Sequence, residues 1–389
     1  MLKAIAVAVL GSGLVIGLGL NAGADEFKVI PSVTLRGEYN DNVFFDEDNE
    51  DSDYIGKVSP GLEIIDRTER LNLNLNGRFH IIRYKDAGDL DAEDYDGRGA
   101  ISYQFTPVFR GSASAAYVKD SSAGRDIDET GLVQSTDTRR RQSYGAGFDY
   151  TLTEKASVDF SYAFDKSDFD NPDRDEEDFK SHSAGAGFNY NLSSLLYETT
   201  GRLAAGYAHY DYETSKTDYY YGTVGAMWRF SEIFSLKADV GARYTDTQFK
   251  GADNNTKWGG LGSAALTYHG EFTTADVSAG RDIQAASGRR GVVERTTFVL
   301  DVRHRFLEKL WLGVSAGYYL NESSADEFAA EKIDEETLRV RPYFNWGIHR
   351  YVSLEGAYEY VYVDDNTDNT DTDRNQVYLQ VKFAYPVIE

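Results

Sequence analysis

The sequence predicts an all-β fold: a single transmembrane antiparallel β-barrel of about eighteen strands, with short periplasmic turns and longer acidic extracellular loops. Three observations predict it. Apolar residues recur at every second position through most of the chain, as in the run 377–385, whose odd positions are all apolar. Short and long connections alternate along the chain, and an apolar leader precedes the first strand. Alternation of apolar and polar residues is typical of transmembrane barrels, because successive side chains of a strand face the lipid and the lumen in turn.

The leader has the features of a secretory signal peptide. Lys3 gives the positive end, residues 4–20 are apolar, and Ala22-Gly23-Ala24 is a small-residue cleavage site before Asp25. An uncleaved anchor is the alternative, and the small residues and the acidic stretch after them favour cleavage. We therefore expect a signal peptide at 1–24 and one barrel domain at 25–389, in the outer membrane of a Gram-negative bacterium.

Composition supports this assignment and excludes several chemistries. The chain has no cysteine, so it can form no disulfide, thiolate metal site or cysteine-linked haem. We expect no cofactor. Its 28 Tyr and 21 Phe fit aromatic girdles at the two membrane interfaces, and its 36 Gly fit curved, closely packed strands.

Connections and strand phases give the strand count. Short connections are expected near 67–70, 106–108, 153–155, 193–196, 231–233, 270–271, 307–309 and 348–350, and longer ones near 41–53, 85–94, 120–139, 167–178, 213–217, 249–257, 286–291, 322–332 and 364–373. Their strict alternation places both chain ends on the short-turn side. The loop at 120–139 is the longest and the only one we expect to fold into the lumen. A soluble sandwich would also alternate, but charges on the polar face of nearly every strand favour a barrel.

Charge divides between an acidic rim and a mixed wall. The formal net charge is −24, and acids dominate the segments 41–53, 86–96, 168–178 and 364–373. The polar phase of the strands instead carries bases and acids together, with a slight excess of bases. The predicted pore-lining residues are Arg36, Arg78, Arg98, Arg110, Asp149, Asp159, Arg202, Lys237, Asp239, Arg243, Asp301, Arg303, Arg305, Arg339, Arg341, Glu355, Glu359, Gln380 and Lys382.

The acidic run 364–373 offers closely spaced oxygen ligands, which calcium requires. It lacks the ordered Gly and terminal Glu of an EF-hand loop, so it predicts no specific metal site. Solvated loops are the simpler interpretation. The alternative is that the acidic loops bind divalent cations and through them contact outer-membrane lipid, lipopolysaccharide or polysaccharide.

Several short segments resemble a known family. They are Tyr39-Asn40-Asp41-Asn42-Val43-Phe44, Ser52-Asp53-Tyr54-Ile55, Ser59-Pro60-Gly61-Leu62, Arg70-Leu71-Asn72-Leu73 and Phe383-Ala384-Tyr385-Pro386. The chain thus resembles the outer-membrane β-barrel porins often associated with exopolysaccharide biosynthesis and export. The resemblance implies an exit channel for a polysaccharide and supplies no catalytic motif. It also implies a periplasmic or lipoprotein export partner, because the chain lacks the periplasmic helical repeats of some other export barrels.

Four functions follow from these observations. A polysaccharide export channel is favoured, and a general diffusion porin for small hydrophilic solutes fits the mixed wall equally. Trp311, Tyr319 and Tyr343 fall on the inward phase and would stack on sugar rings, although we prefer to place them in the interface girdles. A lipid-modifying enzyme is disfavoured because the six histidines are scattered without a catalytic motif. A structural or adhesive barrel is the last alternative. The acidic rim makes nucleic acid an unsuitable partner.

Overall fold

A computed structural model describes residues 26–47, 50–122, 125, 137–170, 177–251, 253–286, 291–324, 327–328, 332–367 and 369–388. The predicted signal peptide lies outside these residues. No helix among the described residues has both the length and the apolar character needed to cross a membrane.

Eighteen antiparallel strands form one closed sheet, which confirms the predicted fold and strand count. Each strand pairs with its neighbours in sequence, and β1 pairs with β18 from Ser32 opposite Ala384 to Asn40 opposite Gln376. The strands are β1 Glu26–Asn40, β2 Asp53–Arg67, β3 Leu71–Tyr84, β4 Ala92–Thr106, β5 Phe109–Asp120, β6 Arg139–Thr153, β7 Ala156–Phe169, β8 Phe179–Asn191, β9 Thr199–Tyr212, β10 Ser215–Trp228, β11 Phe234–Phe249, β12 Asn255–His269, β13 Thr273–Ala285, β14 Val292–Leu307, β15 Leu310–Ser323, β16 Ile333–His349, β17 Val352–Asp365 and β18 Thr370–Ala384.

The C-terminal residues extend the closure beyond β18. Tyr385 and Val387 donate backbone hydrogen bonds to Pro31 and Val29 at 3.1 and 2.9 Å, so the free edge of β1 is covered. A bilayer offers no water to satisfy backbone groups, which is why a spanning sheet must leave no open edge.

Two belts of aromatic residues lie on the outer face, as the composition predicts, and the extracellular belt runs over strands between β1 and β12. Neighbouring rings make contact in both belts: Tyr39 and Tyr54 at 5.1 Å in the extracellular belt, and Phe105 and Phe109 at 5.3 Å in the periplasmic one. We define the extracellular girdle as Tyr39, Tyr54, Tyr95, Tyr117, Tyr144, Phe164, Tyr207, Tyr220, Tyr244 and Trp258. Between the belts the outward side chains are apolar, including Val377 and Leu379, which are half exposed on the outer surface.

One connection is much shorter than expected. The sequence predicts a longer extracellular loop at 213–217, but β10 begins at Ser215, so only two residues separate β9 from β10. Ser215 and Thr217 are buried inside the barrel, and the Thr217 hydroxyl lies 3.1 Å from that of Thr247. Small polar residues at the inward positions give the sequence a loop-like composition where the structure has a strand.

Loop residues fill part of the extracellular half of the interior, and they come from unexpected loops. Phe45, between β1 and β2, is fully buried against Val361 and Val363. Phe328, between β15 and β16, is buried in a cluster with Phe179. The expectation that only the loop at 120–139 would fold inward is therefore wrong; most of that loop lies outside the described residues.

Candidate functional site: the lumen wall

The strand register places every predicted pore-lining residue on the inner face. Directly opposed residues of an antiparallel pair point to the same side of the sheet. Arg36 opposes Gln380, which opposes Glu355 on the next strand, and the same face continues through Trp311 to Arg305. The register of the other strand pairs places the remaining predicted pore-lining residues on this same inner face, around the whole barrel and back to Arg36.

Ion pairs line the periplasmic half of the wall on β5–β11. Arg110 contacts Asp149 at 3.0 Å, and Arg202 contacts Asp159 at 2.6 Å. The Arg110 side chain is 56 % exposed, so this pair lies in an open, water-accessible part of the lumen. Exposed pairs of this kind contribute little to stability. Here they make one side of the wall polar with nearly balanced charge.

A different surface faces them on β14–β18 and β1, where guanidinium groups stack on aromatic rings. Arg303 lies 4.6 Å from the Trp311 ring centroid, and Arg341 lies 5.2 Å from that of Tyr343. Arg36 lies 3.7 Å from the ring centroid of Tyr378, a residue that sequence reasoning does not assign to the inner face. We call this surface, composed of Arg36, Arg303, Arg305, Arg341, Trp311, Tyr343 and Tyr378, the arginine–aromatic wall. Its aromatic residues belong to the lumen, so the girdle interpretation preferred for Trp311 and Tyr343 is wrong.

Two bases of this wall have no ion-pair partner among the described residues. Within the described part of the chain, neither Arg303 nor Arg341 has a carboxylate within ion-pair distance, and the same holds for Lys382 nearby on β18. Arginine stacked on an aromatic face keeps its edge donors free for a planar anion. This side of the lumen can therefore bind carboxylates or similar groups.

Towards the extracellular end the charges become buried and paired. The Glu359 carboxylate accepts hydrogen bonds from Arg339 Nε and Arg374 Nη2, both at 3.0 Å. Arg374 in turn lies against the ring of Phe45. The sequence pointed to Arg339 and Glu359 but missed Arg374, which directly follows the acidic run 364–373. Together these residues hold the first extracellular loop against the inner wall.

On the other side of the interior, hydrogen bonds join strands that are not neighbours. The Tyr219 hydroxyl of β10 donates to Asp282 of β13 at 2.5 Å, and Arg243 of β11 binds Glu294 of β14 at 2.5 Å. Arg243 also faces the Phe328 ring. Each of these cross-lumen contacts skips two strands, so the wall is drawn inward and the lumen narrows at this level.

Three inward residues on neighbouring strands form a series that sequence reasoning missed. Ser59 Oγ lies 2.8 Å from His80 Nδ1, and His80 Nε2 lies 2.8 Å from Asp96 Oδ1. The order resembles the hydrogen-bonded series of serine hydrolases. However, Ser59 is only 6 % exposed, and Arg78 also binds the Asp96 carboxylate. We interpret the series as a polar network that joins β2, β3 and β4.

The described acidic side chains do not assemble into a metal site. No group of three or more His, Asp or Glu among the described residues is arranged to hold an ion. In the run 364–373, Asp365 accepts a hydrogen bond from the Thr367 backbone at 2.8 Å, as in a tight turn. Residue 368, like parts of the other acidic loops, lies outside the described residues, and cation binding by these loops stays a prediction.

Comparison with known proteins supports the family. Residues 10–191 match the family model "Outer membrane protein beta-barrel domain", and residues 259–385 match "Putative beta-barrel porin 2". No curated protein matches the chain. Similar solved structures include the outer membrane protein OpdK of Pseudomonas aeruginosa, at 10% identity and a TM-score of 0.49, covering 92% of this chain and 99% of that one.

Another similar solved structure is the siderophore receptor PirA of Pseudomonas aeruginosa, at 13% identity and a TM-score of 0.46, covering 92% of this chain and 80% of the receptor. The two family matches, to separate parts of the chain, and the closed barrel together support a porin-like β-barrel protein of the Gram-negative outer membrane.

Proposed function

We propose that this barrel is a channel for small hydrophilic solutes that favours anions, carboxylates above all. The observation that carries the proposal is the arginine–aromatic wall, where Arg303 and Arg341 stack on aromatic rings without a carboxylate partner among the described residues. A guanidinium binds a carboxylate through two parallel hydrogen bonds, which gives both attraction and orientation.

The distribution of charge around the lumen supports the same preference. The facing strands carry closed pairs such as Arg110–Asp149, which contribute almost no net field. On the opposite side, Arg303, Arg341 and Lys382 outnumber the inward acids Asp301 and Glu355 that likewise have no ion-pair partner among the described residues. Narrow polar cavities with low-dielectric walls strengthen such a field and raise the local concentration of counter-ions.

The narrowed extracellular half sets a size limit. Tyr219–Asp282, Arg243–Glu294 and the buried Phe45 all occupy space that a wide pore would leave free. Small solutes suit this geometry better than a polymer. Polysaccharide export, the function implied by the family resemblance, remains a second candidate. The aromatic faces of Trp311 and Tyr343 favour it, but export would require the cross-lumen contacts to open.

Conductance in planar bilayers tests the proposal. With a KCl gradient across the membrane, the reversal potential should show anion preference. The double variant R303Q/R341Q should move it towards cations. The matched control R110Q/D149N removes a closed pair without changing net charge and should leave it unaltered. A cation-selective wild type, or equal shifts in both variants, would rule the proposal out.

Adding small monocarboxylates or acidic oligosaccharides to the same bilayer experiment distinguishes the two candidate functions. Small monocarboxylates should reduce the chloride current in the wild-type channel and not in R303Q/R341Q. If instead the channel stays closed to ions and acidic oligosaccharides bind from the periplasmic side, polysaccharide export is supported.

A further inference from the structure

A band of basic side chains faces outward on β5–β10, although the protein as a whole is strongly acidic. Lys119, Arg140, Lys166, Lys180 and Lys216 occupy outward positions of these strands, and Lys250 follows in the connection after β11. We call these six residues the basic band. Their side chains do not line the lumen, so this inference is independent of the proposed channel function.

The basic band lies just above the extracellular girdle. Lys119 follows the girdle residue Tyr117 by two positions, Lys166 follows Phe164 by two, and Lys216 precedes Tyr220 by four. At about 3.3 Å per residue, the basic groups stand about 7 to 13 Å beyond the girdle along the strands. Aromatic girdles mark the edge of the hydrocarbon layer, so this height corresponds to the lipid headgroups of the outer leaflet.

Like charges oppose one another within the band. Lys166 is directly opposite Lys180 in the β7–β8 pair, and Lys119 is directly opposite Arg140 in the β5–β6 pair. Directly opposed like charges destabilise a sheet. Neighbouring acids offset part of this repulsion, since Arg140 is paired with Asp170 at 2.5 Å and Lys180 is also directly opposite Asp211. A bound anion would remove the remainder.

Lys166, Lys180, Lys216 and Lys250 also share a recess of about 360 Å³ with Asp168, Asp178, Asp211 and Glu213. Lys166 is paired with Asp168 at 2.6 Å and Lys216 with Asp211 at 3.1 Å. Lys180 and Lys250 have no carboxylate partner among the described residues. The ammonium groups of Lys180 and Lys250 are therefore available to an anion in the recess. Those of Lys166 and Lys216 lie beside them and are each paired with an aspartate.

The other side of the barrel has the opposite charge at a corresponding height. The outward positions above the membrane on β16–β18 are acidic: Glu336, Asp364 and Asp371. The rim thus has one sector that carries the basic band, with the outward acids Asp168 and Asp211 among its bases, and another whose outward positions are acidic. An anionic headgroup can make direct contact only with the basic one, because the acidic sector would need bridging cations.

We propose that the basic band binds the phosphorylated headgroup of an outer-leaflet lipid of the lipopolysaccharide class. Lys180 and Lys250 contact the phosphate, and Lys166 and Lys216 border the recess. Lipopolysaccharide fits because its phosphates lie at the height of the band and because the site faces lipid rather than the medium.

Lipid retention by purified barrel tests this assignment. Wild type and K166S/K180S are incubated in detergent with phosphorylated lipopolysaccharide or with the same material after dephosphorylation, and bound lipid is measured by native mass spectrometry. K85S/K332S is the matched control, since it removes two extracellular lysines outside the band. Heat-modifiability on gels verifies that each variant is folded, and the single variant K180Q provides a milder change.

Wild type and the control should retain phosphorylated lipid, also in EDTA, and K166S/K180S should bind it about tenfold more weakly, as expected for the loss of charge-assisted contacts. The affinity of K180Q for the phosphorylated lipid should lie between those of wild type and K166S/K180S.

Equal binding of dephosphorylated and phosphorylated lipid by wild type would overturn the proposal. Equal retention of phosphorylated lipid by wild type and K166S/K180S would overturn it too. So would full loss of binding in EDTA, which indicates bridging cations. Complete competition by inorganic phosphate would assign the site to free phosphate. Loss of barrel–barrel crosslinking in K166S/K180S, with lipid retention unchanged, would make the band a protein interface instead.

Discussion

The guanidinium carbon of Arg374 lies 4.2 Å from the ring centroid of Phe45, which brings a residue of the first extracellular loop against the inner wall of β18. Phe45 is completely buried, and Arg374 is held by Glu359. This contact links the loop to a buried charge pair. It makes the width of the lumen depend on packing as well as on strand number.

Replacing Phe45 with alanine should open the extracellular end. The change F45A removes a buried aromatic ring, and losses of this kind cost about 3 to 5 kcal/mol in well-packed sites. We expect a lower unfolding midpoint in urea and a higher single-channel conductance. L195A is the control, because Leu195 is 83 % exposed in a periplasmic turn. Unchanged conductance in F45A would show that this loop does not restrict the lumen.

Glu359 should be essential for stability. The change E359Q leaves Arg339 and Arg374 without their shared carboxylate, and breaking a buried pair typically costs about 3 to 5 kcal/mol. Urea unfolding of refolded barrel in lipid vesicles measures the loss. E93Q is the control, since the exposed pair of Glu93 with Arg83 should contribute less than about 1 kcal/mol. A loss in E359Q no larger than in E93Q would contradict this account of the triad.

Asp53, at the extracellular end of β2 above the girdle, should anchor the 85–91 connection across a wide pH range. Burial opposes its ionisation, but hydrogen bonds from the backbone of Ala87, Asp86, Tyr54 and Lys85 together lower its pKa below the ordinary value of 3.8. Because the folded-state pKa is depressed, its stabilising effect is present above that ordinary value. It is lost only as the pH falls through the lower, folded-state pKa.

Hydrogen exchange of the Asp86 and Ala87 amides is the measurement, because both donate to Asp53 at 3.0 and 2.8 Å. Protection should remain between pH 7 and 5 in the wild type and should be lost at every pH in D53A. Loss of wild-type protection already near pH 5 would mean that the carboxylate does not have a depressed pKa.

The Ser59–His80–Asp96 series should be structural. A fluorophosphonate probe, which labels activated serines, should leave Ser59 unmodified, because the residue is buried and Arg78 also occupies its acid partner. H80A should lower the unfolding midpoint without changing any lipid hydrolysis by the purified protein. Labelling of wild type that disappears in S59A would restore the enzyme interpretation.

The sequence by itself determined the barrel. The two-residue alternation, the strict order of short and long connections and the aromatic content are local properties, and they suffice to predict the strand number and which phase faces inward. Side-chain direction in a strand follows directly from position, so Arg303, Arg341 and Glu359 could be assigned to the inner face without knowing their neighbours.

Only the tertiary structure decided which inward residues meet. The burial of Phe45 and Phe328, the contact of Tyr219 with Asp282 and the alignment of Lys166 with Lys180 all depend on loop placement and on register between strands. Such contacts are non-local: residues far apart in sequence become neighbours only when the sheet closes. A local pattern therefore gives the composition of the wall, while closure of the sheet determines its width, its pairing and the division of the outer rim into basic and acidic sectors.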